Sequence, residues 1–256
     1  MARSLARLRR ALIAPHAGLM YYRSRRARAY RTAPRQARRS HRSCSALPIS
    51  SGSTASRFIG AASTRRSGVA EFDEGAAAAI TSAASIVREH PQRTRARAFA
   101  RNADAVHQAR VAPQAKIVAL LMGWQEEETA RALGDGVGIG PRRSRRPARC
   151  EHRLVALSRR RDWRPRSMPW SSITSRGSTP TSLQRALNRR PDHACGGGPT
   201  VAVMRRGAPL GATDAVILKY ADSGDVSGDK SAVVGYLAAA LGSAITEGCW
   251  VPGSTC

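Results

Sequence analysis

Apolar residues gather in a few short runs along the 256-residue chain, and these runs predict its buried strands. Residues 11–14 form an apolar run that predicts a short buried strand. Residues 117–122 form a continuous apolar run, which is typical of a strand covered on both faces of a sheet. Residues 201–203 and 215–218 predict two further strands.

Other stretches carry helical signals. Residues 126–133 predict a helix, because three glutamates in its first turn interact favourably with the helix dipole. Residues 69–110 are mildly helical, and residues 183–187 predict a short helix. Residues 231–241 are strongly apolar and predict a longer helix, for which Asp229 is the expected N-cap.

Between these stretches the chain is rich in Arg, Ser, Ala and Pro and lacks a sustained period. Residues 23–66 show neither the strand period of two nor the helix period of 3.6. Such a composition buries little apolar surface, so we predict disorder or poorly packed helix there. Residues from Pro141 to about Leu183 are irregular in the same way.

The charge of the chain is extreme and is carried almost wholly by arginine. The formal net charge is +26, with 43 Lys and Arg against 17 Asp and Glu, and lysine occurs only at Lys116, Lys219 and Lys230. A phosphate-binding surface is expected to use both cations, because lysine is an effective point-charge contact. An excess of arginine alone is instead what GC-rich DNA yields when it is translated out of frame. We therefore interpret the chain as the product of a frame-disrupted gene.

Three segments resemble one known family. The first is Ala11-Leu-Ile-Ala-Pro-His16-Ala-Gly-Leu-Met-Tyr21, and the second is the block from Pro113 to Gly134. The third has two parts, Ala194-Cys195-Gly-Gly-Gly-Pro199 and Tyr220-Ala-Asp-Ser-Gly-Asp225-Val-Ser-Gly-Asp229-Lys-Ser-Ala-Val-Val-Gly235-Tyr236. In this order they resemble Memo-like proteins, known as AmmeMemoRadiSam system protein B. The resemblance implies a single Memo-like domain over residues 1–256, family-like at about 11–22, 113–136 and 192–242. Residues 23–112 and 137–191 are Arg-rich unmatched segments.

The resemblance implies an α/β fold, a mixed sheet with flanking helices similar to class III extradiol dioxygenases. In this chain we expect that fold to be incomplete, with disordered Arg-rich segments and exposed strand edges. It also implies partners, an AMMECR1-like protein and a radical-SAM protein. The chain has no convincing targeting segment or membrane span, so we expect it in the cytoplasm.

The same resemblance implies a pocket lined by three histidines and a cysteine, a ligand set suited to a transition metal. His16 matches the first histidine and Cys195 matches the cysteine. The family's "GPSHH" text is replaced by Phe58-Ile-Gly60-Ala-Ala-Ser63-Thr64, and its "SSDxSH" text by Ser171-Ser-Ile-Thr-Ser175. Two of four ligands do not make a competent metal centre, so we expect this copy to be inactive.

Each of these residues also has a purely structural interpretation. His16 could be a hydrogen-bonded histidine at a strand end, and Cys195 an inert small residue beside a glycine turn. The glycines at 196–198 favour a turn in which backbones approach closely, since the P-loop Lys-Ser/Thr is absent. Asp225 and Asp229 could suggest a carboxylate pair or a Ca²⁺ loop, but their spacing does not match an EF-hand.

The net charge leaves one alternative function, non-specific binding of nucleic acid through a cationic surface. No helix-turn-helix, zinc finger or RNA-recognition aromatic motif accompanies the charge, and aromatic residues make up only 5% of the chain. The five cysteines are irregularly spaced, which argues against a disulfide framework and against a CxxC zinc site.

Overall fold

The structure is a computed structural model of the full chain. It describes residues 9–13, 42–45, 57–58, 63–65, 68–70, 74–89, 117–121, 126–136, 150–153, 159–160, 179–189, 196–210, 212, 214–231 and 233–242. His16 and Cys195 lie outside these described residues.

Eleven strands and five α-helices are present in the described part of the chain. The strands are β1 Arg9–Ile13, β2 Arg42–Ser45, β3 Arg57–Phe58, β4 Ser63–Arg65, β5 Gly68–Ala70, β6 Arg88–Glu89, β7 Ile117–Leu121, β8 Cys150–Arg153, β9 Arg159–Arg160, β10 Asp214–Asp222 and β11 Val233–Gly242. The helices are α1 Glu74–Ala83, α2 Glu127–Gly136, α3 Pro180–Arg189, α4 Gly197–Gly207 and α5 Gly224–Ser227, and a 3₁₀ turn, Ala208–Leu210, follows α4.

The first sheet is built around β11. Strands β1 and β10 pair antiparallel on its two sides, with Ile13 opposite Ala239 on one side and Ile217 opposite the same residue on the other. Strand β9 pairs with the start of β11. Because β1 and β10 both run antiparallel to β11, they are parallel to each other. Their carboxyl ends therefore lie at the same end of the sheet.

The second sheet has five strands in the order β6-β3-β7-β2-β8. It is mixed, because β2 pairs parallel with both β7 and β8 while β3 pairs antiparallel with β7. A separate two-stranded sheet joins β4 and β5. Helices and mixed strands of this kind are compatible with the expected α/β class.

The core lies between the first sheet and helices α1 to α4. Ile13, Leu183 and Leu237 are among its largest fully buried side chains, each at most 1% exposed. Helix α4 packs against α2 and α3, and Gly197 lies so close to the Leu187 side chain that any Cβ would overlap it. The prediction of a turn with close backbone approach is wrong for Gly197 and Gly198, because they begin α4 and the close neighbour of Gly197 is a side chain.

Several sequence predictions are confirmed. Strand β1 covers the apolar run at 11–13, and Ala11 is 2% exposed. Strand β7, strand β10 and helix α2 form where their patterns predict them. Helices α1 and α3 also form, and α3 extends beyond the five predicted residues. In each case the local pattern and the tertiary role agree.

The prediction of a helix at residues 231–241 is wrong. Residues 233–242 form β11, and every residue from Gly235 to Gly242 is buried. An apolar run without periodicity fits a buried strand as well as a buried helix. Here the strand is favoured, because β1 and β10 form hydrogen bonds with both edges of β11. Asp229 accordingly caps no helix, and its carboxylate instead accepts a hydrogen bond from the Ser231 amide, 2.8 Å away.

The prediction of a strand at residues 201–203 is also wrong. These residues lie inside α4, where Val201 and Val203 are 1% and 3% exposed. β-branched residues favour strands only weakly, and packing overrides that preference. Thr200 supports the helix, because its hydroxyl donates to the Gly196 carbonyl at 2.8 Å.

The stretches predicted to be irregular differ from that prediction where the structure finds strands in them. Strands β2, β3 and β4 lie within residues 23–66, and β8 and β9 lie within the irregular stretch after Pro141. Sheet ladders are made by backbone N–H and C=O groups, so pairing does not require apolar side chains. The prediction of disorder or poorly packed helix is wrong for these residues.

Candidate functional site

The connection between β10 and β11 contains the most polar contacts of the described residues. It runs from Asp222 to Ser231 and holds the short helix α5. We call the group formed by Asp222, Asp225 and Lys230 the carboxylate–lysine cluster. It lies at the sheet end where β1 and β10 both terminate, as the antiparallel registers require.

Two carboxylates of the cluster brace each other's backbone. The amide of Asp222 donates to Asp225 Oδ2 at 2.9 Å, and the amide of Asp225 donates to Asp222 Oδ1 at 3.1 Å. Each bond satisfies an amide at a chain reversal, where ladder partners end. This reciprocal pair fixes the first turn of the connection.

Lys230 joins the two carboxylates. Its Nζ donates to Asp222 Oδ1 at 2.7 Å and to Asp225 Oδ1 at 2.5 Å. The Asp222 side chain is only 9% exposed, whereas that of Lys230 is 55% exposed. A nearly buried carboxylate requires a partner, because an unpaired buried charge is costly. Lys230 therefore acts as a tether across the connection.

The remaining contacts close the connection as a turn. Two hydrogen bonds join Ser223 and Val234. The Ser223 amide donates to the Val234 carbonyl, and the Ser223 hydroxyl accepts from the Val234 amide. Gly228 ends α5 with φ of 79°, a left-handed conformation that glycine adopts without a steric penalty. The connection is thus held at both ends and in its middle.

Protonation of the neighbouring groups follows from these contacts. The hydrogen bonds to Asp222, and then those to Asp225, raise the pKa of Lys230. Burial, followed by the charges of Asp222 and Asp225, raises the pKa of Tyr220 well above its ordinary value. Hydrogen bonds from Ser231 lower the pKa of Asp229. The ammonium stays charged and the phenol stays neutral at physiological pH.

The cluster is better suited to holding the turn than to moving protons. Oδ1 of both aspartates is occupied by Lys230, and Oδ2 of Asp225 is occupied by a backbone amide. Among the described residues, no group of three or more His, Cys, Asp and Glu could hold a metal ion. The Ca²⁺-loop interpretation therefore has no support in this part of the chain.

The two candidate ligands from the sequence flank described elements. His16 follows three residues after the end of β1, and Cys195 precedes the first residue of α4 by two. Since both lie outside the described residues, the ligand predictions stay predictions.

Sequence reasoning missed the role of Lys230. The sequence suggested Asp225 and Asp229 as a carboxylate pair. In the structure Asp225 instead forms hydrogen bonds with Asp222, and Lys230 donates to both of these carboxylates. Asp225 and Asp229 stand in repeated Ser-Gly-Asp sequences, but this repeat does not bring their side chains together in the described contacts. A lysine eight residues after Asp222 was the available signal, because a tight hairpin brings such residues together.

No helix among the described residues is long and apolar enough to cross a membrane. No family model matches the chain.

Curated relatives match parts of the chain. A MEMO1 family protein of Methanosarcina mazei is 56% identical over 52 residues, which is 20% of each chain. One from Methanosarcina acetivorans is 53% identical over 53 residues, 21% of this chain and 20% of the relative. A third, from Methanothermobacter thermautotrophicus, is 31% identical over 128 residues, 47% of this chain and 44% of the relative. The chain spans less than half the length of these relatives, and over the matched segments it is similar to MEMO1 family proteins.

Proposed function

We propose that this chain is a frame-disrupted copy of AmmeMemoRadiSam system protein B, with an incomplete His/Cys-lined pocket and no activity. One observation carries the proposal. Identity to MEMO1 family proteins exceeds 50% over about fifty residues, yet long Arg-rich segments separate the family-like text. Gradual divergence would spread differences along the chain, whereas a frame change confines them to segments.

The ligand count supports inactivity. His16 and Cys195 are present in their family-like text, while the second and third histidines have no in-frame counterpart. In intact relatives a transition metal in such a pocket would supply oxygen or redox chemistry, as in extradiol dioxygenases. Metal affinity depends on the number and geometry of ligands together, so two ligands retain metal poorly.

Metal retention by the purified chain tests this proposal. After incubation with Zn²⁺ or Fe²⁺ and dialysis, we expect well below one equivalent of metal by elemental analysis. The His16→Ala and Cys195→Ser variants should retain the same small amount. One equivalent in the original chain, lost in either variant, would overturn the claim of an incomplete centre.

Intact relatives are expected to act in the cytoplasm beside an AMMECR1-like and a radical-SAM protein. We expect this copy to lose those partners, because the segments between its family-like parts are altered. Co-purification with both proteins from one host would contradict that expectation.

A second candidate function is non-specific binding of nucleic acid, and the distribution of charge favours it. The family-like segments contain six basic and nine acidic residues, whereas the rest of the chain contains 37 basic and eight acidic residues. Any affinity for phosphate backbones would therefore come from the Arg-rich segments and would fall steeply with salt. Fluorescence anisotropy with duplex DNA at 50 and 200 mM salt checks this, and salt-independent binding would exclude it.

A further inference from the structure

Strand β2 occupies a position in the second sheet that its residues do not fit. It lies between β7 and β8 and pairs parallel with both. Interior strands of parallel sheets are usually near-continuous runs of Val, Ile and Leu. Strand β7 reads Ile-Val-Ala-Leu-Leu and agrees with that rule, whereas β2 reads Arg-Ser-Cys-Ser. An interior strand of the sheet is therefore formed by mostly polar residues.

We infer that the codons of residues 42–49 carry the original strand and its following motif in a second reading frame. In that frame each codon consists of the third base of one residue's codon and the first two bases of the next. This inference rests on the proposed function, since it identifies one frame-disrupted segment and its missing histidine.

The genetic code makes this second reading apolar over the strand. We take the serines to be encoded by TCN codons. The second-frame codon that spans Arg42 and Ser43 then encodes Val, Ile, Leu or Phe. The one that spans Ser43 and Cys44 encodes Val, Leu or Met. The second-frame codon that spans Cys44 and Ser45 encodes Leu or Phe. Every choice of third base thus yields an apolar residue. Read in the second frame, the codons of β2 therefore encode an apolar strand, which is the kind expected at an interior position of the sheet.

The next four codons can encode Gly-Pro-Ser-His. Third bases G, C, T and C at Ser45, Ala46, Leu47 and Pro48 give these residues in order, with the last codon completed by the AT of Ile49. The motif would follow directly from the carboxyl end of a parallel strand, where ligand-binding residues are commonly placed. This location replaces the in-frame text at residues 58–64 as the counterpart of the family's "GPSHH". The codon after the histidine cannot encode a second one, because isoleucine codons end in T, C or A and serine codons begin with TC or AG.

The same frame does not extend to β8. There the second-frame codon that spans Cys150 and Glu151 is either an Arg codon or a stop codon. A frame change at β2 therefore does not account for the residues of β8. The inference concerns residues 42–49 alone.

Sequencing the encoding DNA over the codons of residues 23–112 tests the inference. We expect the codons TCG, GCC, CTT and CCC at residues 45–48, because no synonymous codons yield Gly-Pro-Ser-His in the second frame. Gly-Pro-Ser-His text found elsewhere in another frame would overturn this inference and leave the proposed function standing. Its absence from every frame would overturn both.

A protein-level test uses the full chain with Arg42→Val, Ser43→Val and Cys44→Leu. Burial of three apolar side chains should slow amide exchange at residues 43–45 and 117–119 by about 10-fold or more. The matched control places the same apolar residues outside the strand, as Arg23→Val, Ser24→Val and Arg25→Leu. Equal protection in both variants would show that β2 has no demand for apolar residues and would contradict the inference.

Discussion

The two sheets of this protein are held together differently. In the first sheet, β11 is buried along almost its whole length and packs against α4. In the second sheet, only β7 has the composition of a buried strand, and β2, β6 and β8 are built from polar residues. The difference teaches that backbone pairing can outline a sheet, whereas apolar side chains supply most of its stability.

Amide exchange should separate the two sheets by the largest effect. We expect amides of β10 and β11 to exchange on the order of 100-fold more slowly than those of β2 and β8, because opening costs more where apolar surface is buried. Mass-spectrometric hydrogen exchange of the full chain measures this. Comparable rates in the two sheets would break the comparison.

Leu237→Ala should cause the largest loss among point substitutions. Leu237 is fully buried in the middle of β11, so a cavity there costs about 2–5 kcal/mol of unfolding free energy. Val226→Ala is the control, since Val226 is 45% exposed and should change stability by less than about 0.5 kcal/mol. Denaturant unfolding followed by tryptophan fluorescence gives both values, and similar losses would contradict a core in the first sheet.

Lys230→Met should have an intermediate effect. It leaves Asp222 without its ammonium partner in a nearly buried position, which we expect to lower the free energy of unfolding by less than Leu237→Ala does. Asp225→Asn retains a partner for Asp222 in Lys230 and should cost less, because the Asp225 side chain is 41% exposed. If both variants lose the same amount, burial of Asp222 does not decide the strength of the cluster.

The same cluster predicts destabilisation at high pH. The folded-state pKa values of Tyr220 and Lys230 lie above their ordinary values of 10.0 and 10.5. Their contributions are complete below about pH 10 and decrease above it, because the unfolded chain then releases protons that the folded chain keeps. The denaturant concentration at the unfolding midpoint should stay constant up to about pH 10 and fall as the pH rises further. Tyr220→Phe should reduce that fall, and an unchanged slope would exclude Tyr220 as a source.

Gly228→Ala should have a smaller effect than Leu237→Ala. Gly228 has φ of 79°, and no other group lies within 4 Å of the position a Cβ would take. The cost is therefore conformational strain alone, about 1 kcal/mol. Gly228→Asn should cost less, since asparagine tolerates this conformation better. A loss above that of Lys230→Met would indicate a contact that the backbone geometry does not reveal.

Much of the fold could be predicted from local pattern. The apolar run at β1, the run at β7 and the acidic first turn of α2 each specify one structure, because period, length and flanking residues agree. For β11 and for residues 201–203 in the middle of α4, the same kinds of pattern predicted the wrong element. Ala and Leu in β11 favour helix, and valines in α4 favour strand, so local preference opposed the outcome.

The sequence by itself determined the similarity to MEMO1 family proteins over short segments, the Arg-rich interruptions and the absence of two in-frame histidines. These are matters of residue identity and order, which need no coordinates. Tertiary structure decided that β11 is a strand, because β1 and β10 satisfy its backbone groups on both edges. It also decided that Asp222 and Asp225 share Lys230, since only the closed hairpin brings residues eight apart within hydrogen-bonding distance. Finally, it located a strand at polar residues 42–45, because a backbone ladder depends on neighbouring strands rather than on the side chains of the strand itself.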